Sequence, residues 1–181
     1  MPTMEDIDTL VMVIKFIREE DLETATANLE VDIISWNGAL ENARKTGNDE
    51  DANQLDGICK RSVKARQELI RTLSEKYSEL ARLRTATSTA SDPDSPLIVS
   101  MKAEIQELEE RSHSAMLERE LASIAWNSAL RYAKRSNDAL DIGIADSLKT
   151  VYEDESRKYG YMMDNLSLVY LAMHAEMGQV L

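Results

Sequence analysis

The feature that most constrains this chain is a set of long rows of apolar residues spaced alternately three and four apart. This spacing places side chains on one face of an α-helix, and when sustained it favours the shallow crossing of coiled coils. The two clearest rows run from Cys59 to Leu80 and from Leu148 to Met173. Arg66 and Glu155 are the only charged members of these rows. The pattern predicts an all-α protein of long helices.

The first half of the chain is expected to form an α-hairpin. Its first helix covers residues 4–46, and the sequence leaves open whether it breaks at the polar stretch 19–23. Gly47 and Asn48 supply a stop signal, and an acidic run from Asp49 suits the positive end of the next helix. The connection is only a few residues long, so the two helices run antiparallel.

A change of composition marks the boundary between the two halves. Residues 85–96 read TATSTASDPDSP, without an apolar period, and Ser95 is suited to cap a helix that has Pro96 at its first position. The sequence therefore predicts a first hairpin at 1–84, a linker at 85–96 and a second hairpin at 97–181. The second hairpin is expected to pack on the first as a single domain. Its first helix is expected to face inward through Ile98, Met101, Ile105, Leu108, Leu117, Leu121, Ile124, Trp126 and Leu130.

The second half of the chain repeats part of the first. Six of thirteen positions are identical between Ile34–Thr46 and Ile124–Ser136, without a gap. This similarity predicts an internal duplication with a period of about 90 residues. Two such hairpins form an elongated four-helix bundle if they pack side by side, or a coiled-coil-like rod if they stack end to end. Both arrangements remain open from the sequence.

The repeated segments contain the only two tryptophans of the chain. Trp36 and Trp126, followed by Asn37 and Asn127, are predicted to anchor the hairpin tips. A tryptophan buries a large area and needs one hydrogen-bond partner, and the asparagines are suited to cap or cross-link a tip. A partner-binding tryptophan pocket is the alternative.

The last helix carries the candidate interaction surface. Core packing is the default role of its tyrosines and methionines, but methionine-rich faces also suit the grooves of partner proteins. The predicted surface consists of Tyr152, Tyr159, Met162, Met163, Tyr170 and Met173.

No pattern of catalytic residues is found, and the chain is not expected to be an enzyme. The Glu110–His113 spacing resembles one half of a di-iron carboxylate site, but no second E-x-x-H completes it. Cys59 lies on an apolar row, which predicts a buried, inert thiol. No cofactor or metal is predicted.

The net charge of −12 disfavours binding to nucleic acid and to anionic membranes. The single cysteine and the lack of a long apolar run or basic leader predict a cytoplasmic protein. If the chain is viral, the expectation is host-cell cytoplasm or virion.

Three functions are compatible with these features. The favoured one is a non-enzymatic helical scaffold, a homo-oligomer or a binder of helical partners. The second is an acidic decoy of viral or phage accessory type that occupies the basic cleft of a nucleic-acid-binding protein. The least favoured is a helical-bundle enzyme with an unrecognised site.

Overall fold

The computed structural model describes residues 3–179, and its regular secondary structure is entirely helical, with no strand in that range. The prediction of an all-α fold with long helices is confirmed. The elements are α1 (Met4–Phe16), a π-helical segment (Ile17–Leu22), α2 (Glu23–Thr46), α3 (Glu50–Thr87), α4 (Pro96–Ser136) and α5 (Ala139–Glu176).

Local signals in the sequence account for several helix ends. Thr3 and Asp6 form a capping box, in which each side chain accepts a hydrogen bond from the backbone of the other residue. Ser95 caps α4 with Pro96 in the first turn, as predicted. Helix α3 continues to Thr87, so the first residues of the predicted linker are helical.

The structure divides into two compact units. The first takes in the described residues up to Asp92 and the segment from His174, and the second spans Pro93–Met173. In the first unit, α1, the π segment and α2 all pack against α3. Its core is built from Ile7, Leu10, Ile14, Leu22, Leu29, Ile33, Leu73, Tyr77 and Leu80, which are buried.

A buried arginine lies between α2 and α3. Arg66 is 7% exposed, and its Nε donates to the hydroxyl of Thr26 at 3.0 Å. One turn nearer the hairpin tip, Ser62 donates to Asp32 at 2.5 Å. Burial of a guanidinium requires polar partners, because desolvating a charge is costly. The hydrogen bond to Thr26 is such a contact, and it helps to accommodate Arg66 in the otherwise apolar row of α3.

The stretch that the sequence left open forms one widened turn inside a continuous helix. The buried residues Ile14 and Leu22 lie eight positions apart, whereas two α-helical turns need only about 7.2 residues. A π-helix bonds each N–H one residue further back and so accommodates the extra residue. In α4 the buried residues Ile105 and Ser112 lie seven apart, and that helix is regular. The π segment therefore keeps the core residues of α1 and α2 on one face.

In the second unit, the contact row of α4 differs from the one that the sequence predicts. Leu117, Leu121 and Ile124 were expected to face inward, but all three are exposed. Residues at strict seven-residue spacing occupy the inner face instead. They are Ile98, Ile105, Ser112 and Ala133, which are buried, together with the half-buried Arg119 and Trp126. Seven residues nearly complete two turns, so this row stays on one face, while 117, 121 and 124 lie off it.

The turns of the two halves have the same backbone pattern at positions ninety apart. Gly47 and Asn137 end α2 and α4 in the left-handed conformation, and each donates to the carbonyl four residues earlier. The hydroxyl of the residue just before each one, at 46 or 136, accepts a hydrogen bond from the N–H at 48 or 138. The side chain at 48 or 138 accepts from the N–H at 50 or 140. Ser88 and Gly178 form a second left-handed pair, also ninety apart.

Residues 174–179 are held within the first unit. Arg84 and Glu176 form an ion pair at 2.6 Å with side chains only 16% and 13% exposed. The Ser91 N–H donates to the Glu176 carbonyl at 2.7 Å, and the Thr85 hydroxyl donates to the Gly178 carbonyl at 2.6 Å. A Cβ on Gly178 would lie 2.8 Å from that hydroxyl. Glycine is therefore required at this position by the close contact as well as by the positive φ.

Candidate interaction surface

Three of the predicted interaction residues contact α4 within the second unit. Tyr152 stacks on Trp126 with ring centroids 5.3 Å apart, and the guanidinium of Arg119 lies 5.6 Å from the centre of the Tyr159 ring. The hydroxyl of Tyr170 donates to Glu109 at 2.6 Å. The contacts follow the antiparallel course of the two helices. They show that these aromatic rings join α5 to α4.

The remaining predicted residues differ in exposure. Met173 is buried and Met162 half-buried, whereas Met163 is 36% exposed. The structure therefore distributes the six residues between the hairpin contact and the outer surface.

The predicted tip anchors occupy unequal surroundings. Trp36 and Trp126 are both half-buried, and Trp126 has the Tyr152 ring as its partner. Asn127 donates to the Ser123 carbonyl on its own helix at 2.8 Å. Asn37 is half-buried.

Sequence reasoning missed two polar residues that hold the tyrosines. Arg119 lies on the seven-residue row of α4, and Glu109 faces Tyr170. A hydrogen bond from Arg119 lowers the pKa of the Tyr152 phenol, and the hydrogen bond to the Glu109 carboxylate raises the pKa of Tyr170. The seven-residue spacing that starts at Ile98 is the sequence signal that could have identified Arg119.

The two phenols should therefore titrate on opposite sides of the ordinary tyrosine pKa of about 10. Ionised Tyr152 is favoured in the folded protein, so it should lose its proton before an ordinary tyrosine. Tyr170 should lose its proton after one, and the bond to Glu109 should be lost as the pH rises through that pKa. Absorbance of tyrosinate against pH should lose a component below the ordinary tyrosine pKa in Tyr152→Phe and a component above it in Tyr170→Phe. Loss of the same component in both variants would contradict the assignment.

A run of exposed apolar residues surrounds the turn between α4 and α5. We call residues 115–152 arm 2 and the equivalent residues ninety positions earlier, 25–62, arm 1. Within arm 2, all of which the structure describes, the only buried residues are Ala115, Ala133 and Ala145. Its exposed large apolar residues are Leu117, Leu121, Ile124, Tyr132, Leu140, Ile142, Ile144 and Val151.

Arm 1 is built differently around the same turn. Its buried residues include Leu29, Ile33 and Cys59, and its exposed large apolar residues are Val31 and Ile34. These two residues are equivalent in position to Leu121 and Ile124 of arm 2. Arm 1 therefore has side chains for a core between its helices, whereas arm 2 holds most of its large apolar side chains outward.

The histidines, cysteine and carboxylates of the described residues are arranged as follows. No group of three or more His, Cys, Asp and Glu side chains in residues 3–179 is arranged to hold a metal ion. His113 is exposed, and His174 Nδ1 lies 2.9 Å from the Gln179 side-chain oxygen. Cys59 is buried, as the apolar row predicted.

Comparison of the chain with protein-family models, with curated proteins and with solved structures finds no match. Within residues 3–179, no helix combines the length and the apolar character that crossing a bilayer requires.

Proposed function

We propose that this protein is a non-enzymatic, self-associating helical scaffold made of two duplicated α-hairpins. The observation that carries the proposal is the exposed apolar surface of arm 2. A monomeric protein rarely exposes a large contiguous apolar patch unless the patch binds something. Helices that present such faces associate by packing them against other helices.

The duplication is supported by features inside each hairpin. The left-handed residues Gly47 and Asn137, and Ser88 and Gly178, are ninety positions apart. The buried Ile7 and Ile14 have counterparts in Ile98 and Ile105, ninety-one positions later. The offset changes by one residue across the π segment. A one-residue insertion in the first hairpin, accommodated by that turn, explains both offsets.

Sedimentation equilibrium at several salt concentrations tests the proposed function. Association through apolar faces should persist, or strengthen, between about 50 mM and about 500 mM salt, because salt screens the repulsion between chains of charge −12. An acidic decoy is not required to self-associate, and its binding to a basic cleft should weaken steeply over the same range. A particle of 20.4 kDa under all conditions would contradict the scaffold.

A further inference from the structure

We infer that arm 2 is the surface on which a second copy of this chain docks, with arm 2 of one protomer packed against arm 2 of the other. This inference rests on the proposed function and specifies its interface. The contact joins identical surfaces, which is the usual arrangement of homodimers.

Arm 2 has no large apolar side chain that is fully buried. A pair of long helices is stabilised mainly by the apolar side chains packed between them. Within arm 2, only the three alanines Ala115, Ala133 and Ala145 are buried, and the stacked rings of Trp126 and Tyr152 are half-buried. Eight large apolar residues face outward from the same segment. A second hairpin laid on this surface converts two helices into four with a shared apolar interior.

The exposed apolar residues of each helix are spaced so that they lie on one face. On α4, Leu117, Leu121 and Ile124 follow one another at intervals of four and three. On α5, Leu140 and Ile144 are four residues apart. The half-buried Leu148 and the exposed Val151 follow at intervals of four and three. Each helix thus presents a stripe of the kind that packs against another helix at a shallow angle.

The distribution of charge favours a second copy as the occupant. Arm 2 contains five acidic and five basic residues, so it is neutral, although the whole chain carries −12. Two copies of a neutral arm approach without the repulsion that the rest of the chain would impose. Arm 1 has seven acidic and four basic residues, so pairing two copies of arm 1 is disfavoured.

The repeat supplies a matched pair of variants for the test. Ile124 and Ile34 are the same residue type, equally placed before the tryptophan, and are 63% and 69% exposed. Ile124→Lys should weaken self-association at least tenfold in light scattering, because it places a charge inside the contact. Ile34→Lys should leave the dissociation constant unchanged. Val151→Lys tests the α5 side of arm 2 and should act like Ile124→Lys.

The outcomes separate this inference from the proposed function. Circular dichroism should show wild-type helix content in all three variants, since the three side chains are exposed. If the wild type associates but Ile124→Lys and Ile34→Lys weaken it equally, or neither does, the arm 2 interface is wrong and the scaffold stands. If the wild type is monomeric at every concentration, the proposed function itself fails.

Discussion

Deletion of Glu20 from the π segment is expected to leave the protein folded, whereas deletion of Glu110 from α4 should unfold the second hairpin. Both residues are exposed acids ninety positions apart. Removing Glu20 reduces the separation of Ile14 and Leu22 from eight residues to seven. A regular α-helix then keeps both on the core face.

The deletion in α4 has the opposite consequence. It reduces the separation of Ile105 and Ser112 from seven residues to six, which rotates all preceding residues by about 100° relative to the rest of the helix. Ile98 and Ile105 would leave the core, at a cost of about 1.5–3 kcal/mol each. Together with the lost packing around them, this approaches the roughly 5–15 kcal/mol that stabilises an ordinary domain.

Urea unfolding followed by circular dichroism measures both effects. The Glu20 deletion should have a midpoint equal to or above that of the wild type, and the Glu110 deletion a much lower midpoint or no cooperative transition. Equal loss of stability in the two deletions would show that the π segment does not accommodate an extra residue.

Replacement of Glu176 by alanine is expected to cost about 3 kcal/mol, because it leaves the mostly buried side chain of Arg84, which is 16% exposed, without its ion-pair partner. The carboxylate lies in the last turn of α5, where the helix dipole disfavours an anion, so the ion pair with Arg84 is what stabilises it there. Arg84 also donates to the Thr89 carbonyl, and loss of Glu176 should loosen that turn.

Thermal unfolding provides the measurement and a matched control. For a chain of this size, a loss of about 3 kcal/mol corresponds to a decrease in Tm of roughly 6–12 °C. Glu75→Ala removes an ion pair with Arg71 whose side chains are 70% and 74% exposed, and it should produce no measurable decrease. A Glu176→Ala Tm equal to that of Glu75→Ala would contradict a structural role for the Arg84–Glu176 pair.

Signals that act within a few residues were sufficient to predict much of this fold. Gly47 ends α2 because glycine adopts the left-handed conformation at low cost, and Ser95 with Pro96 begins α4. The row that ends in Leu166, Val169 and Met173 was predicted as a helix face, and these three residues are buried. The π segment could not be predicted, because the eight-residue separation of Ile14 and Leu22 indicates a widened turn only once both residues are known to be buried.

The candidate surface was harder to predict, because periodicity reports that residues share a face but not which face is covered. Leu117, Leu121 and Ile124 share one face of α4, and the sequence placed it inward. The inner row instead contains Arg119 and Trp126, which contact the tyrosines of α5. Aromatic and cation–π contacts form this part of the hairpin and leave the aliphatic face outward.

Hydrogen exchange at low and high protein concentration tests most directly whether a second copy of the chain covers arm 2. Amide exchange measured by mass spectrometry should slow within residues 115–152 as the concentration rises, because docking stabilises these helices against local opening. Exchange within residues 25–62 should be independent of concentration. Equal exchange of arm 2 at both concentrations, or slowing in arm 1 alone, would contradict the claim.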